Sequence, residues 1–384
     1  MQITHIGKRF RSFGVYTLVS FIGQGFNVVV QILIRRILDP GQMGTYSFVK
    51  LLYNYLDMEH GGMRFAIDRE LPLSSAGRRK EIESAAFTLF LISAALTAIV
   101  TFLVVLFLYL DSREIWLAFL ILDFAALWTS YSNFRKAVFR AKEITGAMIF
   151  YSSIQPALYG ASALCCLLLF GYWGLIFSYL LSSVLICTIF CARYRLELVV
   201  AKPDLNTVKT LLKVGLPMLA NAALSMLSNT IDRWVVLALF GIEQLGVYST
   251  AGMFMSFAMI LPNTISEIFF PRILKHTQKG HTEFLAYFKR ITAILVGINL
   301  LLSVIASFAI PSVIRFLLPN YVDAIDSSVV LILVTAPNML ISICRYSLLG
   351  FMKQHIIIAT NVAQIAFSII LSFTFRCKGM TGMA

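Results

Sequence analysis

The sequence predicts an all-α membrane protein made of two pseudo-repeated six-helix bundles around a central cavity. The 384 residues are 59% hydrophobic and only 13% charged, whereas a soluble domain carries roughly twice that charged fraction. Apolar runs longer than about 18 residues recur along the whole chain, and each is long enough to cross a bilayer. A repeat of half the protein then divides the chain into two similar parts.

The repeat relates residues 19–47 to residues 213–249. Each copy is a long apolar stretch with one polar stripe, then a turn, then a second helix that opens with G-x-Y-S. Both stripes advance by four, three and four residues, at an offset of 201: Ser20, Gln24, Asn27 and Gln31, and Asn221, Ser225, Ser228 and Asp232. The turns recur at an offset of 202, so that Gln42, Gly44, Tyr46 and Ser47 match Gln244, Gly246, Tyr248 and Ser249.

The membrane spans follow from the apolar runs and from the glycine-rich or charged residues that end them. Predicted helix 1 covers about residues 14–34, and predicted helix 2 opens at Gly44 and ends at the Gly61-Gly62 pair. Helices 3 to 6 are predicted over residues 84–110, 115–142, 146–170 and 174–192. Helices 7 to 11 are predicted over residues 215–240, 246–270, 291–310, 327–349 and 355–375.

These spans predict three parts of the chain. Residues 1–192 form an N-terminal bundle, residues 193–213 a cytoplasmic linker and residues 214–384 a C-terminal bundle. The first apolar stretch is longer than a signal-peptide core and has no cleavage pattern, so we expect it to be retained. Gly379-Met-Thr-Gly382 repeats Gly171-Tyr-Trp-Gly174, which predicts the opening of a twelfth helix and hence a truncated chain.

The net charge of +13 is explained by membrane topology rather than by a nucleic-acid partner. By the predicted spans, 23 of the 32 Lys and Arg residues lie in the N-terminus, in the loops on its side or at the end of predicted helix 4 on that side, and six lie on the opposite side. Cytoplasmic loops carry the excess of cations. The sequence therefore predicts a cytoplasmic N-terminus.

Catalytic and metal-binding patterns are absent from the sequence. The six cysteines form no C-x-x-C pair, and there is neither an H-E-x-x-H nor a phosphate-binding G-x-x-x-x-G-K motif. We expect no enzyme activity, no metal and no cofactor.

Polar residues inside a span are costly in lipid and normally face a protein interior or a water-filled cavity. Residues three and four apart share one face of a helix, so we expect the two repeated stripes to face each other across the central cavity. Packing between neighbouring helices by hydrogen bonds is the alternative for Gln24, Asn27 and Asn221. The ionisable residues in spans are Lys50, Asp57, Asp123, Asp232, Arg233, Glu267 and Arg345.

Three local alternatives stay open. Asp232 and Arg233 form either a structural ion pair or part of a binding site. Arg35 and Arg36 either extend to the membrane interface or form a rim that attracts anions. Glu59 and His60, at the predicted helix break, are expected to be solvated.

The chain resembles the multidrug/oligosaccharidyl-lipid/polysaccharide exporter superfamily. The resemblance rests on the two six-helix halves, the G-x-Y-S openings and I-D-R in helix 7. Within that superfamily, R-R-I-L-D-P-G-Q-M-G-T-Y-S (residues 35–47) and I-D-R-W-V-V-L-A-L-F-G-I-E-Q-L-G-V-Y-S (residues 231–249) are similar to polysaccharide-repeat-unit flippases, the O-antigen (Wzx-type) transporters.

That resemblance implies alternating access in a bacterial inner membrane, without catalysis. The substrate would be an undecaprenyl-diphosphate-linked oligosaccharide, used for O-antigen, lipopolysaccharide or related surface polysaccharides, with polymerase machinery as a further partner. Cations in the cavity would offset the diphosphate charge. The residues expected to meet substrate are Lys50, Arg35, Arg36, Arg233, Arg345, Gln24, Asn27 and Gln31.

Two other functions are weighed against this one. A cation-coupled drug antiporter of the same superfamily would need buried carboxylates as ion sites, for which the candidates are Asp57, Asp123, Asp232 and Glu267. A membrane-embedded polysaccharide polymerase typically has a large periplasmic loop, whereas the outward loops here are short, and a half-protein repeat would be unexplained.

Overall fold

The computed structural model describes residues 23, 25–108, 112–196, 204–260, 281–351 and 353–375, and all regular structure within these ranges is helical. Gln24, Glu267 and the predicted opening of a twelfth helix lie outside them. The helices of the first half are α1 (residues 25–37), α2 (Pro40–Leu56), α3 (Met63–Leu73), α4 (Ala76–Leu108), α5 (Arg113–Ala141) and α6 (Thr145–Arg193). Those of the second half are α7 (Leu205–Ser228), α8 (Ile231–Ala258), α9 (His281–Leu317), α10 (Ile325–Leu333), α11 (Thr335–Gly350) and α12 (Gln354–Phe375).

Single glycines turn two long helices. Gly171 divides α6 with φ 58° and ψ −139°, which confirms the turn predicted between helices 5 and 6. Gly241 divides α8 with φ 84° and ψ −175°. Both conformations lie in a region that glycine occupies without steric cost.

Predicted helix 7 differs from the structure, because residues 215–240 are divided between α7 and the first half of α8. The break falls at Asn229 and Thr230. The Thr230 hydroxyl donates to the Met226 carbonyl at 2.9 Å. A threonine side chain can thus bond a backbone carbonyl at the helix end in place of a backbone amide. Apolar periodicity does not reveal such a helix end.

Eight helices in the described part are long and apolar enough to cross a membrane. They include α4, α5, the long α6 and α9. Large apolar side chains cover the outer surfaces of these helices. Five of them are 68–84% exposed: Phe107, Leu168, Phe170, Phe308 and Phe316. Such apolar surfaces are suited to contact with the acyl chains of a lipid bilayer.

The chain forms two compact units. The first contains Met1–Val30 and Phe48–Ala223, and the second contains Gln31–Ser47 and Leu224–Ala384. Three helices, α1, α2 and α7, thus contribute to both. The predicted division at residues 192 and 214 follows the sequence repeat, whereas the packing assigns the end of α1 to the second unit and most of α7 to the first.

The first unit has its main core where α3, α4 and α5 meet. Phe87, Phe90 and Phe134 pack there, with 4.8 Å between the ring centroids of Phe90 and Phe134. Leu211 from α7 joins the same cluster and is 1% exposed. This contact explains why the first part of α7 belongs to the first unit.

One end of the first unit is tied by charged side chains. Lys142 pairs with Glu83 of α4 at 2.8 Å, and Arg140 pairs with Asp68 of α3. Arg135 is 3% exposed and donates to the carbonyl of Tyr194, the residue that follows α6, at 2.5 Å. The cation therefore satisfies carbonyl groups that a helix end leaves open.

The second unit contains a close contact between the two copies of the repeat. A Cβ on Gly44 would overlap the carbonyl of Ile242, and a Cβ on Gly246 would overlap the carbonyl of Pro40. Gly44 and Gly246 are the repeat-related glycines of the G-x-Y-S motifs, and Pro40 and Ile242 are also 202 positions apart. The repeat in the sequence is thus a two-fold, reciprocal backbone contact in the structure, and only glycine permits it.

Candidate functional site

The break after α2 carries two buried ionisable residues. A turn of 3₁₀ helix covers Asp57–His60, and Gly61 and Gly62 follow it with φ 53° and 83°. Glu59 is 0% exposed and His60 is 2% exposed. The expectation that these two residues are solvated was therefore wrong, because the two left-handed glycines fold the turn against α4 and α5 instead of towards water.

The backbone around this break is well satisfied, but the Glu59 side chain is not. The Ser93 hydroxyl donates to the Glu59 carbonyl at 2.7 Å, and the Gly62 amide donates to His60 Nδ1 at 3.0 Å. Neither carboxyl oxygen of Glu59 has a hydrogen-bond partner. A buried polar group without a partner is rare and costly, so Glu59 is a candidate functional residue that the sequence alone did not single out.

Asp57, a predicted ion-coupling residue, forms a salt bridge with an arginine side chain. Arg64 donates to its two carboxylate oxygens at 2.7 and 3.0 Å. Asn133 of α5 donates to the same carboxylate at 3.2 Å, and Tyr151 donates to Asn133 at 3.1 Å. This paired, exposed carboxylate is a structural link between the helix break, α5 and α6.

Asp123, another predicted ion-coupling residue, lies on α5 in the same unit. It is 9% exposed, and the Thr101 hydroxyl lies 3.4 Å from one of its oxygens. In the described part of the chain no cation pairs with it. Asp123 acts electrostatically on Glu59, so the structure brings together two acidic groups that the sequence places 64 positions apart.

Lys50, a predicted substrate cation, lies six residues from the end of α2 and is partly buried. It belongs to the first unit with Asp57, Glu59 and Asp123. Asn27 also lies in the first unit, with its side-chain oxygen buried and unpartnered.

Arg35 lies inside the second unit. It is 4% exposed, and its guanidinium donates to Thr250 Oγ1 at 3.1 Å, to the Ser249 carbonyl at 3.2 Å and to Gln31 Oε1 at 2.8 Å. Arg36, the adjacent cation, is exposed. Of the two arginines proposed for a rim, Arg35 holds α1 against α8, and Arg36 lies on the protein surface.

The pair Asp232–Arg233 is not an ion pair within the described residues. Asp232 instead accepts a hydrogen bond of 2.9 Å from Tyr248, the tyrosine of the second G-x-Y-S motif. Arg233 is partly buried, and its guanidinium approaches Gly252 of the same helix. The Asp232 carboxylate is thus bonded to Tyr248 and not to Arg233.

Arg345 belongs to a chain of polar groups across three helices of the second unit. Its guanidinium donates to Asn361 Oδ1 at 2.7 Å, and Asn361 Nδ2 donates to Ser225 at 2.8 Å. Its Nε is buried without a partner. The structure therefore connects the stripe of α7 with the stripe of α11 through an asparagine on α12.

Asn361 and its neighbour Gln364 were missed by the sequence analysis. Gln364 donates to the Ser228 carbonyl at 3.5 Å. The available signal was their spacing, since two amides three residues apart in an apolar span share one face. The stripe of α7 itself divides, with Asn221 in the first unit and Ser225, Ser228 and Asp232 in the second.

Metal-binding geometry is not present among the described residues, where no three His, Cys, Asp or Glu side chains lie close enough to hold an ion. Of the candidate residues, the carboxylates Glu59 and Asp123 lie in the first unit. The arginines Arg233 and Arg345, which have no carboxylate partner among the described residues, lie in the second.

Solved transporter structures share this fold. An inward-facing multidrug resistance MATE family transporter of the MOP superfamily aligns with a TM-score of 0.77 at 13% identity, over 96% of this chain and 92% of the other. An outward-facing MATE transporter aligns with a TM-score of 0.62 at 12% identity, over 97% and 89%. A MOP superfamily transporter from Pyrococcus furiosus, described as having a binding pocket of reversed polarity, aligns with a TM-score of 0.63 at 13% identity, over 97% and 89%.

These likenesses confirm the predicted fold class, a helical membrane protein of two pseudo-repeated bundles. No curated relative matches the sequence. A family model described as "Polysaccharide biosynthesis protein" matches residues 10–277, which is more than half of the chain. The chain therefore belongs to the polysaccharide biosynthesis protein family, and it shares its fold with transporters of the MOP superfamily.

Proposed function

We propose that the protein flips undecaprenyl-diphosphate-linked oligosaccharide repeat units across the bacterial inner membrane by alternating access. The family match to polysaccharide biosynthesis proteins and the transporter fold support this function. The sugar and diphosphate would cross between the N-terminal half (residues 1–192) and the C-terminal half (residues 214–384), while the lipid tail stays in the bilayer. The repeat unit would then be available to polymerase machinery for O-antigen or related surface polysaccharides.

The unneutralised arginines in the second unit are the observation on which the substrate assignment rests. Arg233 lies in α8 and Arg345 in α11, both within candidate membrane spans. Neither is paired with a carboxylate in the described part of the chain. A diphosphate brings about two negative charges, each of which the bilayer interior penalises heavily. Arginine suits this role because its planar donors bind two phosphate oxygens at once.

A charge-retention series at Arg345 tests the proposal. The strain lacks its own flippase, and the measurement is the surface polysaccharide that each variant restores, divided by the amount of protein in the membrane. We expect Arg345→Lys to retain more transport than Arg345→Ala, and the same order for Arg233→Lys and Arg233→Ala. Lys209→Ala is the matched control, because Lys209 is exposed on α7.

Two results would contradict the proposal. The first is full restoration by both alanine variants, because the arginines would then have only a structural role. The second is failure of the parent chain to prevent the accumulation of lipid-linked repeat units on the cytoplasmic side.

A cation-coupled drug antiporter is the second candidate, and the buried carboxylates of the first unit, Glu59 and Asp123, favour it. The two functions differ in what accumulates when the gene is deleted. Loss of a drug antiporter lowers efflux of cationic compounds and leaves lipid-linked repeat units unchanged. The third function weighed from the sequence, a polysaccharide polymerase, is not favoured, because the similar solved structures are transporters.

A further inference from the structure

We propose that a pocket of the first unit binds the headgroup of a zwitterionic phospholipid, one that carries a phosphate and a primary ammonium group. The pocket has a volume of about 200 Å³ and is lined by residues of α3, of the corner between α3 and α4, of α4 and of α7. Pockets for drug-sized molecules measure roughly 300–1,000 Å³, so this one suits a smaller group. The inference does not depend on which substrate the protein transports.

The walls of the pocket are joined by hydrogen bonds within the first unit. The Thr207 hydroxyl of α7 donates to Glu81 Oε1 of α4 at 2.6 Å. Arg79 Nε donates to the Ser74 carbonyl at 3.1 Å, and the Ser74 hydroxyl donates to the Glu70 carbonyl at 2.6 Å. These bonds connect α3, α4 and α7 around the pocket, so its shape is part of the folded unit.

The pocket lies just before the predicted start of two membrane spans. Those spans begin at residues 84 and 215, in helices that the structure also makes candidate spans. At a rise of 1.5 Å per residue, Arg78 lies about 9 Å before the first span and Leu211 about 6 Å before the second. The headgroup region extends roughly 5–8 Å beyond the hydrocarbon core on each side. The pocket is therefore at the depth of lipid headgroups.

Two exposed leucines favour a lipid ligand over a soluble one. Leu73 lines the pocket and is 80% exposed, and Leu205, the first residue of α7, is 82% exposed. Two further lining residues, Ile82 and Leu211, are apolar and buried. Leucine side chains so exposed are unfavourable in water and favourable against acyl chains. A phospholipid can fill the polar pocket with its headgroup and cover the leucines with its acyl chains.

The lining carries one charge of each sign. Arg78 is exposed and has no carboxylate partner among the described residues. Glu70 is the carboxylate of the lining. Arg69 Nε lies 3.9 Å from Glu70 Oε1, which is longer than a hydrogen bond. Arg78 and Glu70 do not pair with each other, so each can bind a group of opposite sign.

A phosphate and an ammonium group on one headgroup match these two charges. An arginine binds two phosphate oxygens at once, and the Ser75 hydroxyl of the lining can donate to another. The ammonium group would donate to the Glu70 carboxylate. A headgroup without an amine would leave that carboxylate beside the phosphate with nothing to offset it. The pocket therefore favours phosphatidylethanolamine over phosphatidylglycerol.

Native mass spectrometry of the full chain in detergent, titrated with one lipid at a time, tests the site. The measurement is the apparent affinity for the first bound phosphatidylethanolamine and, separately, for the first bound phosphatidylglycerol. We expect Arg78→Ala to weaken the binding of both lipids by about tenfold, the effect of losing one hydrogen bond to a charged group. Glu70→Gln should weaken the binding of phosphatidylethanolamine alone.

Two further variants keep the test independent of folding. Lys209→Ala is the matched control and should bind both lipids like the parent chain, because Lys209 is exposed on α7 and does not line the pocket. Ser75→Asp adds a negative charge to the lining and keeps a residue type that is favoured immediately before a helix. It should weaken the binding of both lipids, as Arg78→Ala does.

Three results would overturn the proposal. The first is parent-like binding by Arg78→Ala and Ser75→Asp, or an equal loss in Lys209→Ala, since binding would then reflect general surface charge. The second is an equal effect of Glu70→Gln on the two lipids, because the ammonium group would then not bind this carboxylate. The third is displacement of phosphatidylethanolamine by an equal concentration of soluble phosphoethanolamine, because the acyl chains would then contribute nothing.

Discussion

At the scale of single residues, the structure separates arginines whose donors are used by the protein from arginines whose donors are only partly used. Arg35 is buried with three kinds of acceptor around it. Arg345 uses one hydrogen bond and has a buried Nε without a partner. The same side-chain chemistry therefore predicts different consequences of substitution at these two positions.

Substitution of Arg35 should lower stability whether or not the charge is kept. Arg35→Ala leaves Gln31 and the Ser249 carbonyl without their donor, and Arg35→Lys cannot reach all the acceptors from one ammonium group. We expect a loss of about 2–4 kcal/mol, measured as a lower melting temperature in detergent. Arg36→Ala is the control, because Arg36 is the exposed neighbour. An unchanged melting temperature in Arg35→Lys would show that the hydrogen bonds contribute little.

At Lys50 charge should matter more than shape. The residue is partly buried on α2, and the proposed substrate is a diphosphate that a point charge can offset. Lys50→Arg should therefore retain more transport than Lys50→Ala, measured as restored surface polysaccharide at equal membrane abundance. If both variants transport equally, the charge at this position is not used by the substrate.

At the scale of whole elements, the contact between the opening of α2 and the second half of α8, after the break at Gly241, is the clearest consequence of the repeat. Gly44 and Gly246 each face a backbone carbonyl of the other copy. The two helices can approach so closely only because neither position carries a side chain. This contact lies within the second unit, so it is expected to contribute to the stability of that unit.

Alanine at either glycine should therefore push the two helices apart. We expect Gly44→Ala and Gly246→Ala each to cost about 1–3 kcal/mol, the range for overpacking a tight contact. Gly297→Ala is the matched control in α9, where nothing lies within 4 Å of the added carbon, and it should gain up to about 1 kcal/mol from helix propensity. Thermal unfolding of the three variants in one detergent distinguishes these outcomes, and equal melting temperatures would contradict the reciprocal contact.

At the scale of the whole molecule, the distribution of cations predicts the orientation in the membrane. The N-terminus, residues 193–213 and residues 271–290 should be cytoplasmic, since their side of the membrane carries 23 of the 32 Lys and Arg residues. Reporter fusions at Arg113, where α5 begins, and at Gly241, where α8 is broken, should report the periplasm. Cytoplasmic activity of a reporter at either position would reverse the assignment.

The sequence by itself determined the membrane class, the two-fold repeat and the turn at Gly171. All three depend on features that are local or periodic along the chain: apolar run length, fixed spacing and a glycine that allows positive φ. The family resemblance was available for the same reason, because its motifs are contiguous.

Only the tertiary structure decided which polar residues have partners. Spacing placed Asp232 beside Arg233, but the carboxylate accepts from Tyr248 sixteen residues away. It placed Glu59 at a break and predicted solvation, but α4 and α5 pack over that turn. It missed Asn361, which links Arg345 to Ser225. Hydrogen bonds and burial in a helical membrane protein depend on which helices pack together, and periodicity along one helix does not contain that information.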